Sequence, residues 1–519
     1  MTTYDTESKT LDTWLFISLF ELLSDCDNCE EHIEFSGFIL QRSLKNLVDV
    51  NMPRRKCRKR IIVVCFVVIV LVFMSGQALN STAIYENLAR NLKDFSELTQ
   101  LRNDSVVVRI SEFKIRKFGL EHFFPRKRRR VFDVDCAAII NGNKLEIDRA
   151  NELMKNETFS HKGISDTDYI NLTKNCDTFK LTRGFHGFIQ NKEEQEFPIA
   201  FSILLYKEVE QAERLLRALY TPWNFFCLHV DGDAAPEVHE AVQGIADCLD
   251  NVFVVSKKEF IVYAGFSRLQ ADINCMENLV ERGNSWKYFI NLPSQQFPIK
   301  TNAELIEILK IYNGANDIEG LTGNRRLENR FKFRYVYKRK EQTDMKPTLY
   351  KSNHLRIDPP FNITVVKGSA YGVFSRKFVE FVVKSKPARE ILDWFRDVYS
   401  PDEYYWATMQ YNPQIGTPGS FYNGKPDDKP WLAVYAAWGG ANPCQGKFVR
   451  GVCIFGVGDL QELVSKRHLF VNKFFLDYQP LGLDCIEEWH LNRTADPSHL
   501  LAFNDTFYQQ LPFINPKAA

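Results

Sequence analysis

Phe225-Phe226-Cys227-Leu228-His229-Val230-Asp231-Gly232-Asp233 is the stretch that decides the architecture. A short apolar run that breaks off in Asp and Gly predicts a buried strand ending in a polar turn. The pattern recurs around it. Residues 199–206 form another apolar strand, and residues 208–220 place Val209, Ala212, Leu215, Leu216 and Leu219 on one helical face. Downstream, Pro236 opens a helix reaching about Cys248, and residues 252–255 form a strand. Residues 267–280 then form a helix with Leu269, Ile273, Met276 and Leu279 on one face. Residues 288–291 are a strand, and Asn302 caps a helix over 303–312. Strands alternating with helices predict an α/β fold, with a mainly parallel sheet covered on both faces. Ligands of such sheets lie beyond the carboxyl ends of the strands, where Tyr206 and Asp231 fall. Asp231-Gly232-Asp233 matches an Asp-X-Asp pattern that can hold a divalent cation, but its first reading is a strand-end turn with polar caps, and no metal site is expected.

A second stretch carries the chemistry: Ser400-Pro401-Asp402-Glu403-Tyr404-Tyr405-Trp406-Ala407-Thr408. Ser400 as N-cap, Pro401 at the first helical position and Glu403 at the third would make a capping box, in which Glu403 only ties down its own helix end. The other reading is a carboxylate at a helix N-terminus beside aromatic surface, where a sugar stacks and gives up a proton.

The totals frame both. The chain has 519 residues and net charge +1, so no global field favours nucleic acid or an acidic partner. The first fifty residues carry ten acidic and three basic side chains. A collar of Arg54, Arg55, Lys56, Arg58, Lys59 and Arg60 follows, and then residues 61–79 without a charge. A span of that length crosses a bilayer of about 30 Å, and the collar assigns the N-terminus to the cytosol. The reading is a type II anchor: cytosolic tail 1–60, transmembrane segment 61–79, stem 80–130 and lumenal domain 131–519. Its short span suits a thin membrane of the early secretory pathway. Translation from Met52 would give a more compact tail. The run Arg126-Lys127-Arg128-Arg129-Arg130 closes the stem as a solvated basic segment or a processing site. Seven sequons, at Asn80, Asn103, Asn156, Asn171, Asn362, Asn492 and Asn504, all lie beyond the anchor, which agrees with this topology. So do the eight late cysteines, whose even number and spacing suggest disulfides rather than a zinc site.

Several runs resemble the core-2/I-branching β-1,6-N-acetylglucosaminyltransferase family, which also includes the peptide xylosyltransferases. They are Phe197-Pro198-Ile199-Ala200, Cys227-Leu228-His229-Val230-Asp231, Arg268-Leu269-Gln270-Ala271-Asp272, Trp286-Lys287-Tyr288, Phe297-Pro298-Ile299-Lys300-Thr301-Asn302, Ser400 to Thr408, and Gly456-Val457-Gly458-Asp459-Leu460. The resemblance implies an A-type, Rossmann-like glycosyltransferase fold, placed in the Golgi membrane and inverting the sugar's anomeric centre. It implies the bridges Cys136–Cys485, Cys176–Cys248, Cys227–Cys275 and Cys444–Cys453. It makes Glu403 the catalytic base, and Arg450 and Lys473 the cations that replace a metal at the UDP diphosphate, so that no cofactor is needed. It places Leu204, Leu205, Tyr206, Asp231, Gly232, Asp233 and Tyr263 at the donor, and Glu319, Arg330 and Trp438 at the acceptor sugar. Two positions depart from the pattern: Leu327 stands where a lysine is expected and Gly440 where a tyrosine is. The expected activity is transfer of GlcNAc from UDP-GlcNAc to an O-glycan of a glycoprotein. The alternatives are a relative using UDP-glucose or UDP-xylose, including a peptide xylosyltransferase, and a silent, membrane-anchored glycan-binding protein.

Overall fold

The computed structural model describes residues 131–514, apart from the short segments 157–158, 160, 162, 187–191, 340–346, 421–424 and 496–502. The tail, anchor and stem, Met52, the Arg126–Arg130 run and the sequons at Asn80 and Asn103 therefore lie outside the described residues. No helix among the described residues is long and apolar enough to cross a membrane. The other five sequon asparagines, Asn156, Asn171, Asn362, Asn492 and Asn504, are all exposed.

The central sheet has the order β3-β2-β1-β4-β5, built from β1 (Ile199–Leu205), β2 (Phe225–Val230), β3 (Val252–Val254), β4 (Tyr288–Pro293) and β5 (Val373–Ser375). The first four strands are parallel and β5 closes one edge antiparallel. Side chains alternate between two cores, as a period of two demands. Ile199, Phe201, Ile203 and Leu205 face one apolar cluster, with residues of α1 (Val209–Leu219), α2 (Pro236–Asp247) and α4 (Asn302–Tyr312). Ala200, Cys227 and Phe289 face the other, with α3 (Phe266–Arg282) and α5 (Asp402–Gln410). The expected α/β fold with a sheet covered on both faces is present.

Three local expectations change. Thr301, not Asn302, caps α4, through a capping box with Glu304, and the Asn302 side chain instead accepts a hydrogen bond from Asn224 (2.8 Å). On α1 the polar face is buried along with the apolar one. Its charges meet α6 (Pro480–Ala495): Arg214 pairs with Asp484 and Glu487 (both 2.7 Å), and Arg217 with Glu487 (2.6 Å). Finally, Tyr404, Tyr405 and Trp406 are core residues with no exposed surface, so they offer a sugar nothing to stack on. Trp406 packs on Phe374 and Phe378 instead.

Four disulfides are formed, in the four pairs the resemblance implied. Cys136–Cys485 ties the start of the described chain to α6. A smaller sheet joins Gln296–Pro298, Phe470–Asn472 and Val434–Ala436, and a hairpin pairs Lys447–Val449 with Val452–Ile454. These put Lys473 just past a strand end and Arg450 in a hairpin turn.

Candidate active site

The parallel register Leu205↔Val230 brings the carboxyl ends of β1 and β2 side by side. Leu204 and Leu205 are buried there, and their carbonyls accept the N–H groups of Ser294 and Asp231 (2.9 Å each). Their side chains present no polar group of their own. Asp231 holds the next turn: its Oδ1 accepts hydrogen bonds from the N–H of Asp233 (3.2 Å) and of Ile261 (3.0 Å). The Gly232 N–H donates to the Glu259 carbonyl (2.9 Å). A Cβ on Gly232 would meet the exposed Phe260 ring at 2.9 Å, so the two loops approach closely here. The Asp-X-Asp turn thus builds loop structure with one of its carboxylates. Tyr206, Phe260 and Tyr263 stand exposed around it.

The loop 259–265 connects this region to Arg450, whose guanidinium lies over the Tyr263 ring, 4.9 Å from its centre. Lys473 is close enough to feel that charge; burial, and then Arg450, push its ammonium below the usual lysine range. Neither cation has a carboxylate partner among the described residues. Two like charges held together in this way make a site for an anion. Trp438 borders the same loop: it bridges to Val452, and a Cβ on Gly451 would touch its ring at 3.9 Å. Gly440, at φ +82°, has open space where a side chain would be.

The Glu403 region adjoins. The Ser400 N–H donates to the Ala264 carbonyl (2.7 Å), so the Tyr263 loop is pinned to the start of α5. Ala264, Ser400 and Arg450 adopt φ of +57°, +51° and +52°. Each such left-handed non-glycine residue costs on the order of 1 kcal/mol and is retained where the fold over-determines it, commonly at functional sites. This geometry rejects the capping box. Ser400 lies outside the helix, α5 has no side-chain cap, and the Glu403 carboxylate is engaged elsewhere. Its Oε2 accepts a hydrogen bond from Arg330 Nη1 (2.7 Å) and forms an ion pair with Lys367 Nζ (3.1 Å). Of the nine residues of α5, eight are buried, and Glu403 alone reaches out, in the first helical turn where the helix dipole favours a carboxylate.

Glu319 is brought to the same cluster. Burial raises its carboxyl above the usual range, Glu403 adds to this and Lys367 opposes it. Arg330 stacks on Tyr399, 5.2 Å from the ring centre. Burial pushes the Tyr399 hydroxyl up; Tyr263 and Glu403 add to this and Arg330 opposes it. Behind Glu403, Asp402 is buried and its carboxyl is pushed up to about 6, chiefly by desolvation against the pull of Arg268. Arg268 in turn holds Asp272 (2.6 Å), which also accepts from Asn291 (2.9 Å).

The structure therefore joins Glu403, Arg330 and Glu319 in one cluster, and Tyr263, Arg450 and Lys473 in another beside it. Trp438 goes with the second; no contact ties it to Glu319 or Arg330 among the described residues. Lys367 and Tyr399 were missed. The only signal for Lys367 was its place directly before Gly368, whose N–H donates to the Glu403 carbonyl (2.7 Å).

The match to the family model described as "Core-2/I-Branching enzyme" spans residues 199–464, from β1 through the Arg450 hairpin. The chain belongs to that family. Among curated relatives, the human "Beta-1,3-galactosyl-O-glycosyl-glycoprotein beta-1,6-N-acetylglucosaminyltransferase 3" is 38% identical over 380 residues, covering 70% of this chain and 83% of the relative. The human enzyme of the same name without the numeral is 38% identical over 377 residues, 70% of this chain and 86% of its own. A relative of that same name from Bovine herpesvirus 4 is 38% identical over 378 residues, with 70% and 83% covered.

Proposed function

We propose that the chain is an inverting β-1,6-N-acetylglucosaminyltransferase. It moves GlcNAc from UDP-GlcNAc to the 6-hydroxyl of a core-1-like O-glycan on a glycoprotein. It acts from a single-pass type II position in the Golgi membrane, anchored by residues 61–79. The observation that carries the activity is Glu403: the one residue of α5 left unburied, with one oxygen held by two cations and the other open. A sugar hydroxyl is a weak nucleophile, so a positioned carboxylate must take its proton as it attacks. In the proposed step the acceptor oxygen bonds to the anomeric carbon, and its proton passes to Glu403. The bond from that carbon to UDP breaks with its electron pair on the diphosphate, whose charge Arg450 and Lys473 neutralise without a metal. Glu319 and Arg330 face the acceptor, and the Asp231 turn with Tyr206 and Tyr263 faces the nucleoside. The family and the relatives' names support this donor and linkage.

The test is UDP release by the full purified chain with UDP-GlcNAc, UDP-glucose or UDP-xylose and a panel of O-glycan acceptors, with and without EDTA. Turnover with UDP-GlcNAc that survives EDTA is expected. Loss with EDTA would move the diphosphate site to Asp231 and Asp233. Preference for another UDP-sugar would place the chain among the alternative donors. Glycan binding without turnover would favour the silent relative, for which Leu327 and the open space at Gly440 leave room.

A further inference from the structure

Lys367 belongs to no expected site, yet the fold builds a place for it. Its carbonyl accepts the Leu321 N–H (2.7 Å), and its neighbour Gly368 donates to the Glu403 carbonyl (2.7 Å). A Cβ on Gly368 would stand 2.3 Å from the Glu319 carbonyl oxygen, so only glycine lets the two segments close on each other here. The lysine side chain is thereby wedged between the segment that carries Glu319 and the helix that carries Glu403. It is 15% exposed, and a lysine so withdrawn from water needs counter-charge. It has two carboxylates, Glu403 by ion pair and Glu319 through its field. Arg330, on helix Asn329–Lys332, is the second cation at Glu403. Both cations meet the same oxygen, Oε2, while Oε1 accepts no hydrogen bond among the described residues.

We propose that Lys367 is a positioning residue for the base: together with Arg330 it fixes Glu403 by Oε2, so that Oε1 is the oxygen that takes the proton of the acceptor hydroxyl. This rests on the reading of Glu403 as base. Proton and electron accounting is that of the transfer step above; Lys367 neither gains nor loses a proton. Without Lys367 the carboxylate keeps one anchor and swings about it, and a misplacement of about 1 Å in a reacting group can cost on the order of 10²-fold in rate.

The experiment compares Lys367→Met, Lys367→Arg, Glu403→Gln and the Lys367→Met/Glu403→Gln pair in the full chain, by steady-state UDP release and by thermal melting. Lys367→Met is expected to lower kcat by about 10- to 100-fold with KM for UDP-GlcNAc unchanged. Lys367→Arg, which keeps the cation, recovers most of kcat. Because Lys367 acts through Glu403, removing it from the Glu403→Gln chain lowers the residual rate no further. Wild-type kcat in Lys367→Met overturns the proposal. So does a Lys367→Arg variant as slow as Lys367→Met, which shows that the cation is not what matters, or a double variant slower by the product of the two single effects, which shows that Lys367 acts independently of Glu403. The underlying reading fails separately: if Glu403→Gln turns over like wild type, Glu403 is not the base, whatever Lys367 does.

Discussion

Two clusters of carboxylates and cations occupy opposite roles in this molecule. At the cleft, Glu403 and Arg330 retain 31% and 29% side-chain exposure. At the α1–α6 contact, Glu213, Arg214, Arg217 and Glu487 retain 3% or less. The buried cluster is closed on itself. Glu213 accepts from Arg183 (2.6 Å), Arg217 (3.0 Å) and the Tyr169 hydroxyl (2.9 Å), and Glu487 forms ion pairs with Arg214 and Arg217. No charge there is left to meet a substrate. The cleft cluster is closed on one oxygen and open on the other. The same residue types thus make a structural clasp when the charges are paired and buried, and leave a carboxylate oxygen available when one atom stays unpaired at the surface. Exposure and the uneven share of partners separate the two, not residue chemistry.

The largest expected effect breaks the open cluster. Glu403→Gln keeps size and shape but cannot take a proton, and a lost general base costs on the order of 10²- to 10⁴-fold in kcat. Melting temperature should stay near that of the parent, because the side chain is about a third exposed and Gln keeps a hydrogen-bond acceptor for Arg330. A slow variant that also melts early would erase the distinction between the two clusters. In the closed cluster the expectation reverses. Glu487→Ala leaves Arg214 and Arg217 buried with one carboxylate fewer, a loss on the order of 3–5 kcal/mol. Denaturant melts should show it, while kcat of the molecules that remain folded stays close to wild type. A fall in kcat without a fall in stability would mean that the α1–α6 contact reaches the chemistry.

The smallest effect sharpens the comparison at the rim of the closed cluster. His161 lies 3.1 Å from Asp484, and that hydrogen bond raises its pKa above the usual histidine value. A group raised on folding gives stability that is complete below the unfolded value of about 6.5 and fades as pH climbs through the folded one. His161→Gln is therefore expected to destabilise by less than about 1 kcal/mol at pH 6 and by still less at pH 8. Melting curves at the two pH values check this, and an equal loss at both would assign His161 a packing role only.

The sequence was most legible where the physics is local. Alternating strands and helices set out β1 through α4 to within a few residues, because periods of 2 and 3.6 report which side chains share a face. Glu403 was singled out by its run, and family resemblance then supplied its role, as it supplied the four disulfide pairs and the positions of Arg450 and Lys473. Local pattern failed where the partner is distant in sequence. The Ser-Pro-Asp-Glu run fits a capping box, yet the Ser400 N–H is taken by Ala264 and the Glu403 carboxylate by Arg330 and Lys367. Three consecutive aromatics suggested a stacking surface and are instead packed in the core.

From its residues alone, then, the chain determined a layered α/β domain, a polar turn at a strand end and a candidate carboxylate at a helix start, since each follows from neighbours within a few positions. Only the tertiary structure decided that the polar face of α1 is buried by α6, about 270 residues further on. It alone decided that Lys367 reaches Glu403 and that a single oxygen of that carboxylate stays open. Burial and charge pairing depend on which segments meet in space, and periodicity along a chain carries no record of the partner.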